Sequence, residues 1–592
     1  MSISADTVAG VRTHYKSSVL FAAAALALAG CSSGPDQPDT VAGEFAAALN
    51  RDDVAAAAAL TDDPAKATAA LTQLYEGLGK EVTFDVASAE ENTFTLAAKW
   101  KFGKDGKNEW TYTTTGSATD AGGWKIKWDP ATVAPGLASG PLTYSPAYPK
   151  AARVLDSSGG ELMTQHIVTV VTVAPGANTE AVAAALAPTN AGITAQSLDA
   201  ELAAAQGKSI TAITLRAADL APIQAALSAV PGVTLAPQTR LLTVDKAQAS
   251  PVLSGLAELW QQDADAAAGW AVRAQTSTGT ERVAGPDPKP APDIATTLDI
   301  DLQNAAKDAL SALNTPAAIV ALQPSTGNVL ALAQNSAADA QGPIALTGLY
   351  PPGSTFKTVT VSAALQSGET TPDSVLPCPG SANIEGRRIP NDENFDLGQV
   401  PLHTAFARSC NTTMGMLGVR LPADGLTNAA AQLGLGVDYV TPGLTTVTGK
   451  VPSATTPAQR VESSIGQGQV TASPFGMALV AAAIARGSVP NPVLVQGKPG
   501  VADKAPPALP AQVPDQIKTM MRETVTGGTA TQLRDIPGLL GKTGTAEYGD
   551  NTHAHGWFVG IEGDLAFAVF VSDAGSSGPA VDAAGRMLRA RR

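Results

Sequence analysis

From Thr40 to about Gly79 the chain carries an Ala/Leu-rich helical pattern, and beyond it the apolar period shortens to that of strands. Val82–Val86, Thr93–Leu96, Trp110–Thr113 and Trp124–Trp128 read as β-strands separated by Gly and Asp turns. Helices followed by a curved sheet predict a small α+β cone over residues 39–138. Residues 139–285 mix both periods, which predicts an α/β middle domain, and the Pro-rich run Gly285-Pro286-Asp287-Pro288-Lys289-Pro290-Ala291-Pro292 marks a linker over 286–292. After it, Thr296–Gln303 leads into a helix, and Ala318–Leu322 and Val329–Leu332 flank the turn Pro324-Ser325-Thr326-Gly327 as a hairpin. Near the C-terminus, strands at Lys542–Ala546, Trp557–Ile561 and Leu565–Val571 are separated by the turns Gly549-Asp550-Asn551 and Glu562-Gly563-Asp564, and a helix follows. Strands at both ends with helices between predict a domain over 293–592 whose central antiparallel sheet, flanked by helices, is assembled from chain-distant pieces.

The length, 592 residues, exceeds what one hydrophobic core supports and fits about three domains. With 44% hydrophobic and 16% charged residues the composition is that of a folded protein, not a disordered one. A net charge of −14, with no Lys/Arg cluster interleaved with aromatics, argues against nucleic acid as a partner. The start of the chain changes the picture: basic Arg12 and Lys16 precede the apolar run Val19–Leu28, which ends in Ala29-Gly30-Cys31. That run is shorter than the roughly 20 residues of a membrane span, so residues 1–30 read as a secretion signal cleaved before Cys31, with 31–38 as a tether. An exported chain meets an oxidising compartment, and the two remaining cysteines, Cys378 and Cys410, leave a disulfide and a pair of buried thiols both open.

Three short motifs carry candidate chemistry: Ser354-Thr355-Phe356-Lys357, Ser409-Cys410-Asn411 and Lys542-Thr543-Gly544. Tyr350-Pro351-Pro352-Gly353 breaks the chain ahead of Ser354, and Thr358–Leu365 reads as a helix closed by Gly368, so Ser354 and Lys357 share one face of its first turn. A serine hydroxyl is a weak nucleophile, and an adjacent neutral amine can take its proton as it attacks a carbonyl. A free lysine titrates near ~10.4, so Lys357 must be partly buried and near other cations, of which Lys542 is the candidate. The helix start also offers backbone N–H groups to a developing oxyanion. Gly541-Lys542-Thr543 could end a phosphate-binding loop, but that loop needs glycine where Ile536 stands. His553 and His555 lie two apart with no third histidine nearby, which makes them structural residues at the rim of the site rather than metal ligands; no metal and no cofactor is expected.

Together with Ile465-Gly466-Gln467-Gly468-Gln469, Ala472-Ser473-Pro474 and His555-Gly556-Trp557-Phe558-Val559-Gly560, these motifs resemble the penicillin-binding transpeptidase domain, a serine β-lactamase-like fold, over residues 293–592. The first domain resembles the NTF2-like domain found ahead of some such enzymes, without a catalytic constellation of its own. Arg153–Leu162 resembles the opening of the elongated dimerisation-type domain of class B penicillin-binding proteins, with Ala151-Ala152 where that family has Arg-Gly, and Ser254–Leu259 is similar to its closing segment. Leu28-Ala29-Gly30-Cys31 resembles a bacterial lipobox, which implies a diacylglycerol on Cys31 and a place on the outer face of the cytoplasmic membrane, as in penicillin-binding lipoproteins of actinobacteria.

The resemblance implies a D,D-transpeptidase that forms an acyl-enzyme on Ser354 from D-Ala-D-Ala stem peptides, lipid-linked or polymeric, and passes it to an acceptor amine, with β-lactams as covalent inhibitors. It implies Lys357 as base, Ser409 as proton relay, Asn411 as a ligand of a substrate amide, and Lys542, Thr543, Gly544 and Thr545 as the carboxylate site. The backbone amides of Ser354 and Thr545 would form the oxyanion hole. Glu462 and Glu523, the glutamates between Asn411 and Lys542, lack the asparagine of a class A lactamase base motif, and no Glu-Asp-x-x-Phe segment of a glycosyltransferase occurs. A partner glycosyltransferase of the division or elongation machinery is therefore expected. A D,D-carboxypeptidase and a non-catalytic β-lactam-binding scaffold or sensor stay open as alternatives.

Overall fold

The computed structural model describes residues 38–120, 122–189, 191–549 and 552–591. The expected secretion signal, Cys31 with residues 31–37 of the expected tether, and Asp550 and Asn551 of the expected turn lie outside them, and Pro38, the last tether residue, opens the first helix. The chain divides into two compact units: the described residues up to Pro146 together with Trp270–Pro286, and Ala147–Gly269 together with Asp287 onward.

In the first unit, helices Pro38–Asn50, Val54–Ala59 and Pro64–Leu78 precede a four-stranded antiparallel sheet. Asp53 and Asp63 start the second and third helices by accepting hydrogen bonds from the Ala56 and Lys66 amides, and Pro64 at the first helical turn costs no bond because that N–H would be unpaired anyway. Strands Val82–Glu90, Thr93–Phe102, Asn108–Asp120 and Trp124–Ile126 lie side by side in chain order. Along Thr93–Phe102 the residues Phe94, Leu96, Ala98, Trp100 and Phe102 alternate into the core, as a half-buried strand requires. Trp100 is wholly buried between Phe84 and Phe102, and its indole N–H donates to the Tyr112 hydroxyl at 3.0 Å.

Strand Gly269–Thr276 pairs with Leu142–Ala147 on one side and with Gly279–Ala284 on the other, and Trp270, Val272 and Ala274 enter the first unit's core. Sequence alone assigns these residues to the middle domain. Their period-two burial, with Trp270 beside Phe102 at 5.7 Å, is satisfied in the first unit instead.

In the second unit, the middle stretch forms a sheet from Val154–Leu155, Glu161–Val173, Ile210–Arg216 and Val233–Thr243, joined in parallel by Ile294–Ala295 from beyond the linker. Helices Thr179–Leu186 and Ala195–Ala204 cover part of it over a core containing Val171, Val173, Leu186, Leu198 and Leu227.

Residues 293–591 are organised by a five-stranded antiparallel sheet in the spatial order Val329–Gln334, Ala317–Leu322, Leu565–Val571, His553–Glu562, Leu540–Tyr548, as expected from the two ends of the sequence. The central strand Leu565–Val571 is buried throughout, which is why it reads as an unbroken apolar run. Ala566, Ala568 and Phe570 face a core built around helix Pro474–Arg486, whereas Leu565, Phe567, Val569 and Val571 face one formed with helices Ile300–Leu310 and Gly578–Ala590. Helix Pro474–Arg486 begins at Ser473, whose hydroxyl accepts from the Gly476 amide, and closes at Gly487 at φ 85.

Removing the Trp100 side chain leaves a void among Phe84, Phe102 and Tyr75, and we expect Trp100→Ala to cost the first unit about 3–5 kcal/mol. Urea denaturation checks this; a loss below about 1 kcal/mol would contradict the packing described.

Candidate active site

Ser354 lies in a 3-10 turn, Gly353–Phe356, that runs directly into helix Lys357–Gln366. The turn is tighter than the α-helical start predicted from sequence, and its three-residue period brings positions i and i+3 into line, so Lys357 follows Ser354 along one edge. Pro351 and Pro352 supply no N–H, and their carbonyls are taken by the Trp557 indole at 3.0 Å and the Thr355 hydroxyl at 2.7 Å. Gly353 adopts φ 51 and donates to the Gly466 carbonyl at 3.0 Å. A Cβ on Gly353 would meet the Thr545 carbonyl at 2.4 Å, and one on Gly466 would meet the Gly353 carbonyl at 2.1 Å. Both glycines thus let the serine turn sit directly on the edge strand and on the Gly466 loop. Ser354 itself is half-buried.

Helix Lys357–Gln366 is apolar or small on every side and buried from Lys357 to Leu365, so the Lys357 amine is carried into the interior with no exposed surface. Its Nζ donates to the Ser409 carbonyl at 2.7 Å, the Ser409 hydroxyl at 3.1 Å and Asn411 Oδ1 at 2.6 Å. Ser409 lies between helices Leu402–Ala407 and Asn411–Arg420 in the left-handed region, at φ 62. A non-glycine residue held there carries roughly 1–3 kcal/mol of strain and aims both its carbonyl and its hydroxyl at the amine. The flanking cysteines resolve the open alternative: Cys410 is bonded to Cys378, with Cα atoms 6.2 Å apart.

Lys542 reaches the same hydroxyl from the sheet. It lies in edge strand Leu540–Tyr548, wholly buried, and its Nζ donates to Ser409 Oγ at 3.0 Å and the Thr543 carbonyl at 2.9 Å, with the Phe406 ring centroid 5.5 Å away. The Thr543 hydroxyl lies 2.6 Å from that of Thr529, and Thr545 is half-buried on the strand. Gly544 packs against the serine turn, where a Cβ would meet the Pro352 carbonyl and Thr355 amide at 3.0 Å. Lys357, Ser409, Asn411 and Lys542 are therefore joined by direct hydrogen bonds, with the serine turn and Thr543–Thr545 against them.

Burial drives the electrostatics. It holds the Lys357 amine well below the usual lysine range; the Lys542 ammonium pushes it further down, and Glu547 and Asp392 oppose both. Burial alone brings Lys542 down to about 7. The two glutamates weighed from sequence are engaged elsewhere: Glu462 with Arg387 at 2.9 Å, and Glu523 with the His403 ring at 2.5 Å and the Thr404 hydroxyl at 2.8 Å. His555 is buried and stacks on Tyr548 at 4.2 Å, a packing role, while His553 is exposed and pairs with Asp573 at 2.9 Å. Among the described residues no His/Cys/Asp/Glu cluster suited to a metal ion occurs.

Sequence reasoning did not find Phe406, Thr529 or the Gln467–Glu547 hydrogen bond of 2.8 Å. Phe406 and Thr529 lie outside the three short motifs, and the Gln467–Glu547 bond joins two segments 80 residues apart in the chain.

A buried amine one tight turn after a serine, facing a second hydroxyl and a second lysine, defines the class of serine acyl-transfer sites. Comparison with known proteins narrows this. Residues 317–588 match the penicillin binding protein transpeptidase domain, and residues 37–141 match the NTF2-like N-terminal transpeptidase domain. Peptidoglycan D,D-transpeptidase PbpA of Mycobacterium tuberculosis is 31% identical over 324 residues, 46% of this chain and 65% of that protein. PbpA of Mycolicibacterium smegmatis is 32% identical over 345 residues, 49% of this chain and 69% of that protein. The chain thus spans about two thirds of the length of these curated relatives. The penicillin-binding protein PBP2 of Helicobacter pylori, solved in complex with MreC, superposes with a TM-score of 0.57 over 76% of this chain and 98% of its own at 16% identity, a likeness of fold. This chain belongs to the penicillin-binding protein transpeptidase family.

Lys542 makes stability depend on pH. With a folded value near 7 against an ordinary 10.5, the unfolded chain binds more protons between those limits, so this group adds stability as pH rises from about 7 to about 10.5. We expect Lys542→Met to be the more stable protein at about pH 7 and to lose part of that advantage by about pH 9.5, read from urea midpoints. Identical pH dependence in the two proteins would refute the cost of burying this amine.

Proposed function

We propose that this chain is a peptidoglycan D,D-transpeptidase. The observation that carries the proposal is the Lys357 amine: wholly buried, lowered by burial and by Lys542, and held by Ser409 and Asn411 one 3-10 turn from Ser354. In its neutral form it takes the Ser354 proton as Oγ attacks the carbonyl between the two terminal D-alanines of a stem peptide. The amides of Ser354 and Thr545 donate to the oxyanion as negative charge develops. Ser409, bonded to both lysines, passes a proton to the departing D-alanine amine. An acceptor amine then attacks the acyl carbonyl and releases Ser354. Lys542, Thr543 and Thr545 bind the terminal carboxylate, which favours the charged form of Lys542 and draws its proton equilibrium above the value of about 7 set by burial. A β-lactam carries a carboxylate and a strained amide in the same relation, so it acylates the same oxygen but leaves no free amine to depart.

The surrounding chain fits delivery to a wall substrate. In this reading residues 1–30 are cleaved, a lipid on Cys31 holds the protein at the outer face of the cytoplasmic membrane, and the NTF2-like and dimerisation-type regions act as spacers. Glycan polymerisation falls to a partner glycosyltransferase.

Incubation with a fluorescent penicillin is expected to label the protein on Ser354 and to leave Ser354→Ala unlabelled. Pure protein given a D-Ala-D-Ala donor and an acceptor amine is expected to yield the transferred amide. Hydrolysed donor alone would point to a carboxypeptidase, labelling without either product to a scaffold, and a penicilloyl adduct on any other side chain would sink the assignment.

A further inference from the structure

Asn391 has no place in the roles above, yet it is 2% exposed and its side-chain amide is engaged at both ends. Its Nδ2 donates to the carbonyls of Pro379 and Phe395, both at 2.9 Å, and its Oδ1 accepts from the Thr412 amide at 3.1 Å. With both N–H donors spent on carbonyls, the amide cannot flip without turning an oxygen on two oxygens. Its backbone amide donates to the Gly380 carbonyl at 2.9 Å. The residue thus locks the end of hairpin Ser381–Ile384/Arg387–Pro390 to the first turn of helix Asn411–Arg420.

The consequence falls on Asn411. The Pro390 carbonyl, one residue before Asn391, accepts from Asn411 Nδ2 at 3.0 Å. A carbonyl can only accept, so it must face the NH2 half of the Asn411 amide, and the other half, Oδ1, is turned to Lys357 Nζ at 2.6 Å. An acceptor at that point stabilises the Lys357 amine once it has taken a proton; the flipped amide would set donor against donor. Resting on the acyl-transfer reading, we propose that Asn391 is a positioning residue for the reaction: through the Pro390 carbonyl it orients the Asn411 amide so that oxygen, and not nitrogen, meets the base. The Cys378–Cys410 bond ties strand Val375–Cys378, next to Pro379, covalently to the same helix start, so removing the Asn391 side chain loosens this orientation while that tie remains.

The test is a double-mutant cycle of Asn391→Ala and Asn411→Ala, with penicillin acylation resolved into binding and first-order steps and each variant's melting followed in parallel. Wild type and Ser354→Ala are run alongside, so that a labelled Ser354→Ala exposes failure of the acyl-transfer reading itself. We expect Asn391→Ala to slow the acylation step about tenfold or more, with penicillin dissociation changed by less than about twofold, and to move the acidic limb of the rate profile to lower pH because the protonated amine has lost an acceptor. In the Asn411→Ala background the same change should add almost nothing. Losses that multiply across the cycle, an unmoved pH limb, or wild-type acylation by Asn391→Ala would each overturn the proposal while leaving Ser354 as nucleophile intact. If Asn391→Ala melts below the assay temperature, Asn391→Ser, whose hydroxyl keeps one bond, goes through the same cycle and is judged by the same criteria.

Discussion

Two lysine amines share one serine hydroxyl in the interior of this protein, and the rest of the site follows from that. Lys357 and Lys542 both donate to Ser409 Oγ, at 3.1 and 3.0 Å, and neither has exposed surface. A buried ammonium is costly unless hydrogen-bonded acceptors surround it, so each amine is ringed by oxygens: the Ser409 and Thr543 carbonyls and Asn411 Oδ1. The remaining cost appears as lowered proton affinity, and that is the property a base acting on a serine hydroxyl needs. The left-handed backbone at Ser409 belongs to the same arrangement, since it turns carbonyl and hydroxyl toward one point.

The scaffold meets this constraint by making its surroundings rigid. The sheet is covered by helices on both faces, and the edge strand bearing Lys542 receives the serine turn at van der Waals distance because Gly353 and Gly544 have no side chains to hold them apart. The disulfide and Asn391 fasten the loop before the Ser409 motif to the motif itself. Positions at an acyl-transfer site matter to fractions of an ångström, and these fasteners lie where a loop between two helices would otherwise be free to move.

Most of the second unit's plan was legible in the chain. The apolar run Leu565–Val571 announced a strand buried on both faces, and strands at both ends of 293–592 announced a sheet closed by distant pieces. The motif residues were legible because acyl transfer needs particular residue types at short spacings. The assignment of Gly269–Ala284 was not, because an alternating strand states that one face is buried but not against what, and here the partner is Leu142–Ala147. The serine turn was read as the start of an α-helix; two prolines and a glycine at φ 51 tighten it to a 3-10 turn.

By itself, then, the sequence determined most of the elements, which residues are chemically competent, and that Lys357 would have to lose its proton to serve as a base. Only the tertiary structure decided how these groups meet: that Cys378 bonds to Cys410, that Phe406 and Thr529 stand behind Lys542 and Thr543, and that the Pro390 carbonyl faces the amide of Asn411. Periodicity and spacing record interactions between near neighbours in the chain. Hydrogen bonds and desolvation depend on distances in space between segments that the sequence sets tens to more than a hundred residues apart.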